Sequence, residues 1–191
     1  RTVCCDPPRE EREHAGFRPL GEVVREADLI TFHTPLDATT RHLADASLLA
    51  QMKPGAVVIN SSRGEVVDGE ALKASGHDCV LDVWEHEPHL DHTLLDRALL
   101  ATPHIAGYSE QGKANATAQS VATLARFFGF PLEGWYPPEV PPSTPRPISW
   151  EELCRTIGTR YDIEAESRHL KASPEEFESL RDHYRYRREY F

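Results

Sequence analysis

The chain has 191 residues and a formal net charge of −10, with 21 Lys and Arg against 31 Asp and Glu. Such a length holds one ordinary domain, at about 100–200 residues per domain, with room for a small appendage. The acidic balance argues against nucleic acid or an anionic membrane as partner, and no apolar run approaches the ~20 residues that span a bilayer.

In chain order, residues 2–5 (TVCC) read as the end of a strand. No initiating Met and no leader pattern precede them, so the chain is expected to be a piece of a longer one. Further short apolar runs follow at 29–33 (LITFH), 56–61 (AVVINS), 79–84 (CVLDVW) and 99–102. Their nearly continuous hydrophobicity predicts strands buried on both faces, as in a parallel sheet. Helical candidates fall between them at 20–27, 46–52, 69–74 and 90–98, and Lys53-Pro54-Gly55 breaks the chain before the third run. The alternation predicts an α/β fold. A longer helix is expected over 110–128, where Ala114, Ala118, Val121, Ala125 and Phe128 recur at helical spacing.

Prolines then crowd residues 131–147 (PLEGWYPPEVPPSTPRP), which predicts an extended connector, because proline fixes φ and lacks a backbone donor. It divides a first domain, 1–130, from a tail, 148–191. The tail is read as helices at 150–157 and 174–188, the latter capped by Ser173, with a short strand at Arg160-Tyr161-Asp162-Ile163. So small a unit has little core of its own and is expected to dock on the first domain or on a second copy of the chain.

Ligands of an open parallel sheet gather beyond the carboxyl ends of its strands, so the residues after each apolar run are the candidates for chemistry. After the first run comes Asp6, an acid suited to ribose hydroxyls but equally to capping a turn before Pro7-Pro8. After the second come His33 and Thr34, and after the third Ser61, Ser62, Arg63 and Gly64. Asp82 lies inside the fourth run, where a carboxylate is costly without partners, and Glu87 follows it. After the fifth come His104, Gly107 and Tyr108. An imidazole at His104 is the natural base near neutral pH, a carboxylate at Glu87 would orient it, and the fork of Arg63 matches a substrate carboxylate. The cluster His86-Glu87-Pro88-His89-Leu90-Asp91-His92 carries metal-binding residue types, but its spacing fits no standard zinc pattern, so no metal is expected. The four cysteines (Cys4, Cys5, Cys79, Cys154) show no Cys-x-x-Cys spacing and read as reduced thiols of a cytosolic protein.

Four blocks, Thr31–Leu36, Val58–Gly64, Leu81–Pro88 and Thr102–Tyr108, occur in the order in which they mark the NAD-dependent D-2-hydroxyacid dehydrogenases, and the chain resembles that family. His104 to Ser109 followed by Gly112-Lys113, with tail residues such as Tyr161-Asp162, Tyr184 and Arg187-Arg188-Glu189, resembles the subfamily that oxidises 4-phospho-D-erythronate on the way to pyridoxal phosphate. The resemblance implies a Rossmann-type parallel sheet, incomplete at its N-terminal end, followed by a small α+β dimerisation domain. It places the catalytic trio on Arg63, Glu87 and His104. Cofactor contacts to NAD fall on Asp6, Thr34, Ser61, Ser62, Arg63, Asp82 and Gly107, and a substrate contact on Tyr108. It further implies a phosphorylated 2-hydroxy acid as substrate, a cytoplasmic homodimer, and no nucleic-acid or membrane partner.

The family's Gly-rich phosphate loop and substrate domain do not occur in this sequence, so the 191-residue chain alone is expected to bind NAD weakly and not to turn over. The tail is also expected to be cut short at Tyr190-Phe191, and the stretches 36–42 and 72–79 read as trimmed loops. Two alternatives stay open: a phosphoglycerate- or hydroxypyruvate-type member of the family, and a non-catalytic module that senses NAD(H).

Overall fold

The computed structural model describes residues 1–14, 16–143 and 146–189. The elements run α1 (Pro7–Glu13), α2 (Leu20–Glu26), β1 (Leu29–Phe32), α3 (Ala46–Leu49), β2 (Val57–Asn60), α4 (Gly69–Ser75), β3 (Asp78–Leu81), α5 (His92–Arg97) and β4 (Leu100–Ala101). The long α6 (Glu110–Phe128) and the tail helices α7 (Trp150–Arg160), α8 (Ile163–Ala172) and α9 (Phe177–Asp182) complete the set. The strands form one parallel sheet in the order β1-β2-β3-β4. This is the α/β arrangement that the alternation predicts, and the Rossmann-type parallel sheet that the resemblance implies. Among the described residues no helix is long and apolar enough to cross a membrane.

Part of the acidic surplus is spent at helix starts. Asp6, Asp45, Asp68, Asp91 and Asp162 cap α1, α3, α4, α5 and α8, each accepting a backbone N–H from the first turn. Such caps are worth about 1 kcal/mol each, and their charge also suits the positive end of the helix dipole. Ser109 caps α6 in the same way, and Gly129 closes it in the left-handed conformation at φ 72°.

Several expectations need correction. Residues 2–5 do not join the sheet; their pairing is a single parallel bridge, Cys4 to Phe17, and a strand persists only with a partner along its length. Strands buried on both faces are not found at the edge: in β1, Ile30 and Phe32 are buried while Leu29 and Thr31 are exposed. The helix expected over 90–98 starts later, because Asp91 caps it and Leu90 packs into the core ahead of it. Residues 160–163 are no strand: α7 ends at Arg160 and Asp162 opens α8. The helix expected over 174–188 is a short 3-10 turn, Pro174–Glu176, followed by α9, which ends at Asp182. Beyond it the chain turns extended because its backbone finds another partner, the start of α6, through the N–H of Glu110 on the carbonyl of Arg187 (2.9 Å). Thr144 and Pro145 of the connector and Tyr190-Phe191 at the expected cut lie outside the described residues.

The tail packs onto the sheet. Leu170 and Phe177 are buried in the same apolar cluster as Val58, Leu72 and Leu95. Helix α8 lies along β4, where the Ser167 hydroxyl accepts the N–H of Ala101 at 3.0 Å. That side chain takes the place of a further strand. Lys171 donates to the carbonyl of Ala98 at 2.5 Å, at the C-terminal end of α5.

Candidate active site

The strand register sets Phe32, Asn60, Leu81 and Ala101 in one row across the sheet. The residues after each therefore leave from one edge, the edge at which an open α/β sheet takes its ligands. Three loops meet there.

The first follows β2. Asn60 is buried, and its side chain organises what comes next: Oδ1 accepts the N–H (3.1 Å) and the hydroxyl (2.8 Å) of Ser62, while Nδ2 donates to the carbonyl of Arg63 (2.8 Å). The Ser62 hydroxyl is thus turned inward, and Ser61 is half-buried beside it. Arg63 is held by one guanidinium nitrogen on the Ser62 carbonyl (2.6 Å). Gly64 explains how this loop reaches the next. A Cβ there would stand 2.1 Å from the Trp84 carbonyl carbon and oxygen and 2.4 Å from the Glu85 nitrogen, so only glycine permits the contact.

The second loop follows β3. The Glu87 carboxylate is fixed on one side by the N–H of Trp84, donated to Oε1 at 2.8 Å. The Trp84 indole in turn donates to the carbonyl of Thr102 at 3.1 Å, joining this loop to the third. Asp82 is buried, and its carboxylate is fully engaged: Thr102 Oγ1 (2.6 Å) and the N–H of Ile105 (2.9 Å) donate to Oδ1, and the N–H of Ala106 (3.0 Å) to Oδ2. Here the plain reading of a buried acid, a satisfied internal anchor, describes the side chain.

The third loop carries His104 in the left-handed conformation at φ 58°, a placement that costs about 1–3 kcal/mol and persists only where neighbours enforce it. Asp82 enforces it, through its carboxylate and through its carbonyl, which accepts the N–H of His104 at 2.8 Å. His104 Nδ1 lies 2.8 Å from Glu87 Oε2. A carboxylate only accepts, so Nδ1 carries the proton and Nε2 is left as the basic nitrogen. The hydrogen bond to Glu87 raises the His104 pKa above its usual 6.5; partial burial and the Arg63 guanidinium oppose the rise without cancelling it. Imidazole, carboxylate and guanidinium thus act on one another at a single edge. A base held in one tautomer beside a cation can take a proton from a hydroxyl whose carboxylate neighbour the cation binds.

Farther along, Lys113 Nζ sits 3.6 Å above the ring of Tyr108, and a Cβ on Gly107 would meet nothing within 4 Å, so that flank of the loop is open. Thr34, after β1, has a buried hydroxyl with no hydrogen-bond partner among the described residues. Asp6 serves as the cap of α1, accepting the N–H of Arg9 at 3.0 Å. In the histidine cluster, Asp91 caps α5 and pairs with Lys73 at 2.5 Å, and Glu87 is spent on His104.

Sequence reasoning missed Asn60 and the tail residue Arg187, which reaches the loop bearing His104. Asn60 had a signal, a polar side chain closing an apolar run. Arg187 is among the tail residues that carry the resemblance, but its contact with this loop shows only in the fold.

Residues 2–106 match the family described as D-isomer specific 2-hydroxyacid dehydrogenase, NAD binding domain. Across 100% of its length the chain is 43% identical to the erythronate-4-phosphate dehydrogenase of Cronobacter sakazakii, of which it covers 55%. It is 45% identical, over 96% of its length, to the enzyme of the same name from Bacteroides fragilis, again covering 55% of that protein. Among solved structures, a holo form of Rhodotorula graminis D-mandelate dehydrogenase superposes with a TM-score of 0.56 at 27% identity, over 75% of this chain and 44% of that one. The chain spans about half the length of the curated relatives it matches. With a parallel sheet, a paired His and Glu and an Arg on the neighbouring loop at its carboxyl edge, the chain belongs to the D-isomer specific 2-hydroxyacid dehydrogenases and contains their NAD-binding domain.

Proposed function

We propose that the chain serves an NAD-dependent dehydrogenase that oxidises 4-phospho-D-erythronate to 2-oxo-3-hydroxy-4-phosphobutanoate, within pyridoxal 5'-phosphate biosynthesis. The observation that carries the chemistry is the His104–Glu87 pair, 2.8 Å apart at the sheet edge, with Arg63 felt by the imidazole. The substrate is supported by relatives named erythronate-4-phosphate dehydrogenase at 43% and 45% identity.

In this reading His104 Nε2 takes the proton of the C2 hydroxyl. Glu87 holds the ring and stabilises the imidazolium that forms. Arg63 grips the substrate carboxylate, and Tyr108 lies against the substrate. NAD, when bound, supplies the hydride acceptor. The residues present fit that cofactor at one point that needs a ligand: the orphaned Thr34 hydroxyl, whose burial without a partner costs about 1–3 kcal/mol. Thr34, Ser61, Ser62, Arg63 and Gly107 would line it, with Asp6 on the ribose and Asp82 beneath the loop.

The same reading makes residues 1–130 the nucleotide domain and 148–191 a dimerisation unit beyond the connector 131–147. A homodimer is supported by the exposed aromatic cluster of Phe127, Phe128 and Phe130 at the end of α6. A cytoplasmic setting is in keeping with four free thiols.

The test is NAD reduction by the whole protein with 4-phospho-D-erythronate, 3-phosphoglycerate and glycerate compared side by side. Preference for either of the last two overturns the substrate assignment.

A further inference from the structure

The loop that carries His104 is held from two sides. Beneath it, Asp82 accepts the N–H groups of Ile105 and Ala106. The carbonyls of the same stretch point the other way, where Arg187 gathers them. Its Nη2 donates a hydrogen bond to the carbonyl of Ala106 at 2.7 Å, while Nη1 reaches the carbonyls of Ile105 (3.4 Å) and Tyr108 (3.5 Å) at the long limit of hydrogen bonding.

We propose that Arg187 is a positioning residue for the reaction, clamping the backbone of residues 105–108 against Asp82 so that His104 keeps the geometry needed to take a proton. The inference rests on the reading of His104 as the base.

Three observations support it. First, the guanidinium is itself aimed: Nη1 donates to Tyr184 Oη at 2.8 Å, and its carbon lies 5.6 Å from the Tyr161 ring centroid. Second, its backbone is fixed to the same region, its carbonyl accepting the N–H of Glu110 at 2.9 Å. The next residues continue the fastening, with Arg188 on Glu110 at 2.9 Å and Glu189 accepting the Ser109 hydroxyl at 2.6 Å. Third, the stretch needs external support. His104 stands at φ 58°, a conformation its own side chain disfavours, so releasing one side of the loop lets it relax. A planar, always-charged fork suits several carbonyls at once, which a lysine point charge does not. Tyr184 and Tyr186 also pack edge-on against Tyr108, so the same segment sets the ring at the open flank of the loop.

The experiment compares Arg187→Met and Arg187→Lys with wild type in the whole protein, by kinetics and by amide hydrogen exchange. Arg187→Met is expected to lower kcat about tenfold or more, the scale of a small misplacement of a catalytic group, while KM for NAD stays within about twofold. Exchange in 104–108 should rise about tenfold with protection in β2 and β3 unchanged. Arg187→Lys, which keeps one donor, should fall between. Unchanged kcat and unchanged exchange at 104–108 in both variants overturn the proposal, as does uniform loosening of the whole sheet. A wild type that oxidises no 2-hydroxy acid sinks the proposed function instead; exchange at 104–108 still decides whether Arg187 holds the loop.

Discussion

His104 Nδ1 lies 2.8 Å from one oxygen of Glu87, while the other oxygen of the same carboxylate receives the N–H of Trp84 at 2.8 Å. The acid is therefore tied at one end to the strand-end loop and at the other to the imidazole. Its hydrogen bond is the largest cause of the raised His104 pKa. A raised folded-state value stabilises the protein below about 6.5, and that contribution is lost as pH rises through the folded value.

For oxidation the imidazole must be neutral, so the proposed reaction speeds up as pH rises through the same folded value, and the reverse reduction slows. In Glu87→Gln the charge and the strong acceptor are gone, while burial and Arg63 still act to lower the pKa. The rising limb of kcat/KM should move to lower pH, with the plateau about a hundredfold down. An unmoved midpoint in a variant of reduced activity would show that another group controls the limb.

Gly64 holds the two loops of the trio together. Its α-carbon is pressed on the peptide between Trp84 and Glu85, where a methyl group would overlap backbone at 2.1 Å. Gly64→Ala must push the Arg63 loop away from the loop that carries Glu87. The expected cost is at least about 2 kcal/mol, as for overpacked sites with no flexible neighbour, read as a lower denaturant midpoint. Activity should fall with it. An Ala variant as stable as wild type would mean that the loops are not in contact in solution.

How far the sequence reveals this arrangement depends on the range of the forces involved. The strands ending near Asn60 and Ala101 follow from short apolar runs with polar residues after them, while the run 79–84 is strand only to Leu81; that local pattern already groups Arg63, Glu87 and His104 at one edge. What the pattern leaves out is pairing over distance. Nothing near Arg187 signals that its guanidinium meets the carbonyl of a residue 82 positions away, nor that its own carbonyl accepts the N–H of Glu110, the pairing that turns extended a segment whose capping residues read as the start of a longer helix. Residues 2–5 fail for the opposite reason: their composition favours a strand, but strand structure belongs to the pair and not to the segment. Asp82 was ambiguous on sequence because burial of an acid is compatible with a ligand role and with an internal anchor. Three donors within 3.0 Å supply the anchor.

Ser167 links the tail to the sheet through one hydrogen bond, its hydroxyl accepting the N–H of Ala101 at 3.0 Å. Both residues are buried, so water is poorly placed to substitute. Ser167→Ala leaves a backbone donor unpaired and should cost about 1–3 kcal/mol. Hydrogen exchange at Ala101 should quicken while β1 and β2 keep their protection. Wild-type stability together with wild-type exchange at Ala101 would rule the contact out.

Asp82→Asn separates charge from shape. The amide is nearly isosteric with the carboxylate but presents one acceptor oxygen instead of two. The N–H groups of Ile105 and Ala106 come to different carboxylate oxygens, at 2.9 and 3.0 Å, so the amide NH2 must face one of them donor to donor. If the oxygen takes the Oδ1 place, it keeps Thr102 and Ile105 and orphans Ala106; if it takes the Oδ2 place, it orphans Ile105 and the Thr102 hydroxyl must turn to accept from the amide. The first arrangement keeps the short Thr102 bond (2.6 Å) in its present direction and is the one expected. It still leaves a part-buried donor without its acceptor, at about 1 kcal/mol. The released N–H belongs to the residue whose carbonyl Arg187 holds at 2.7 Å, so the loop should pivot about that remaining bond. The expected outcome is lower stability, faster exchange at Ala106 than at Ile105, and reduced kcat. Equal exchange at the two amides would show that the carboxylate does not divide its oxygens between them.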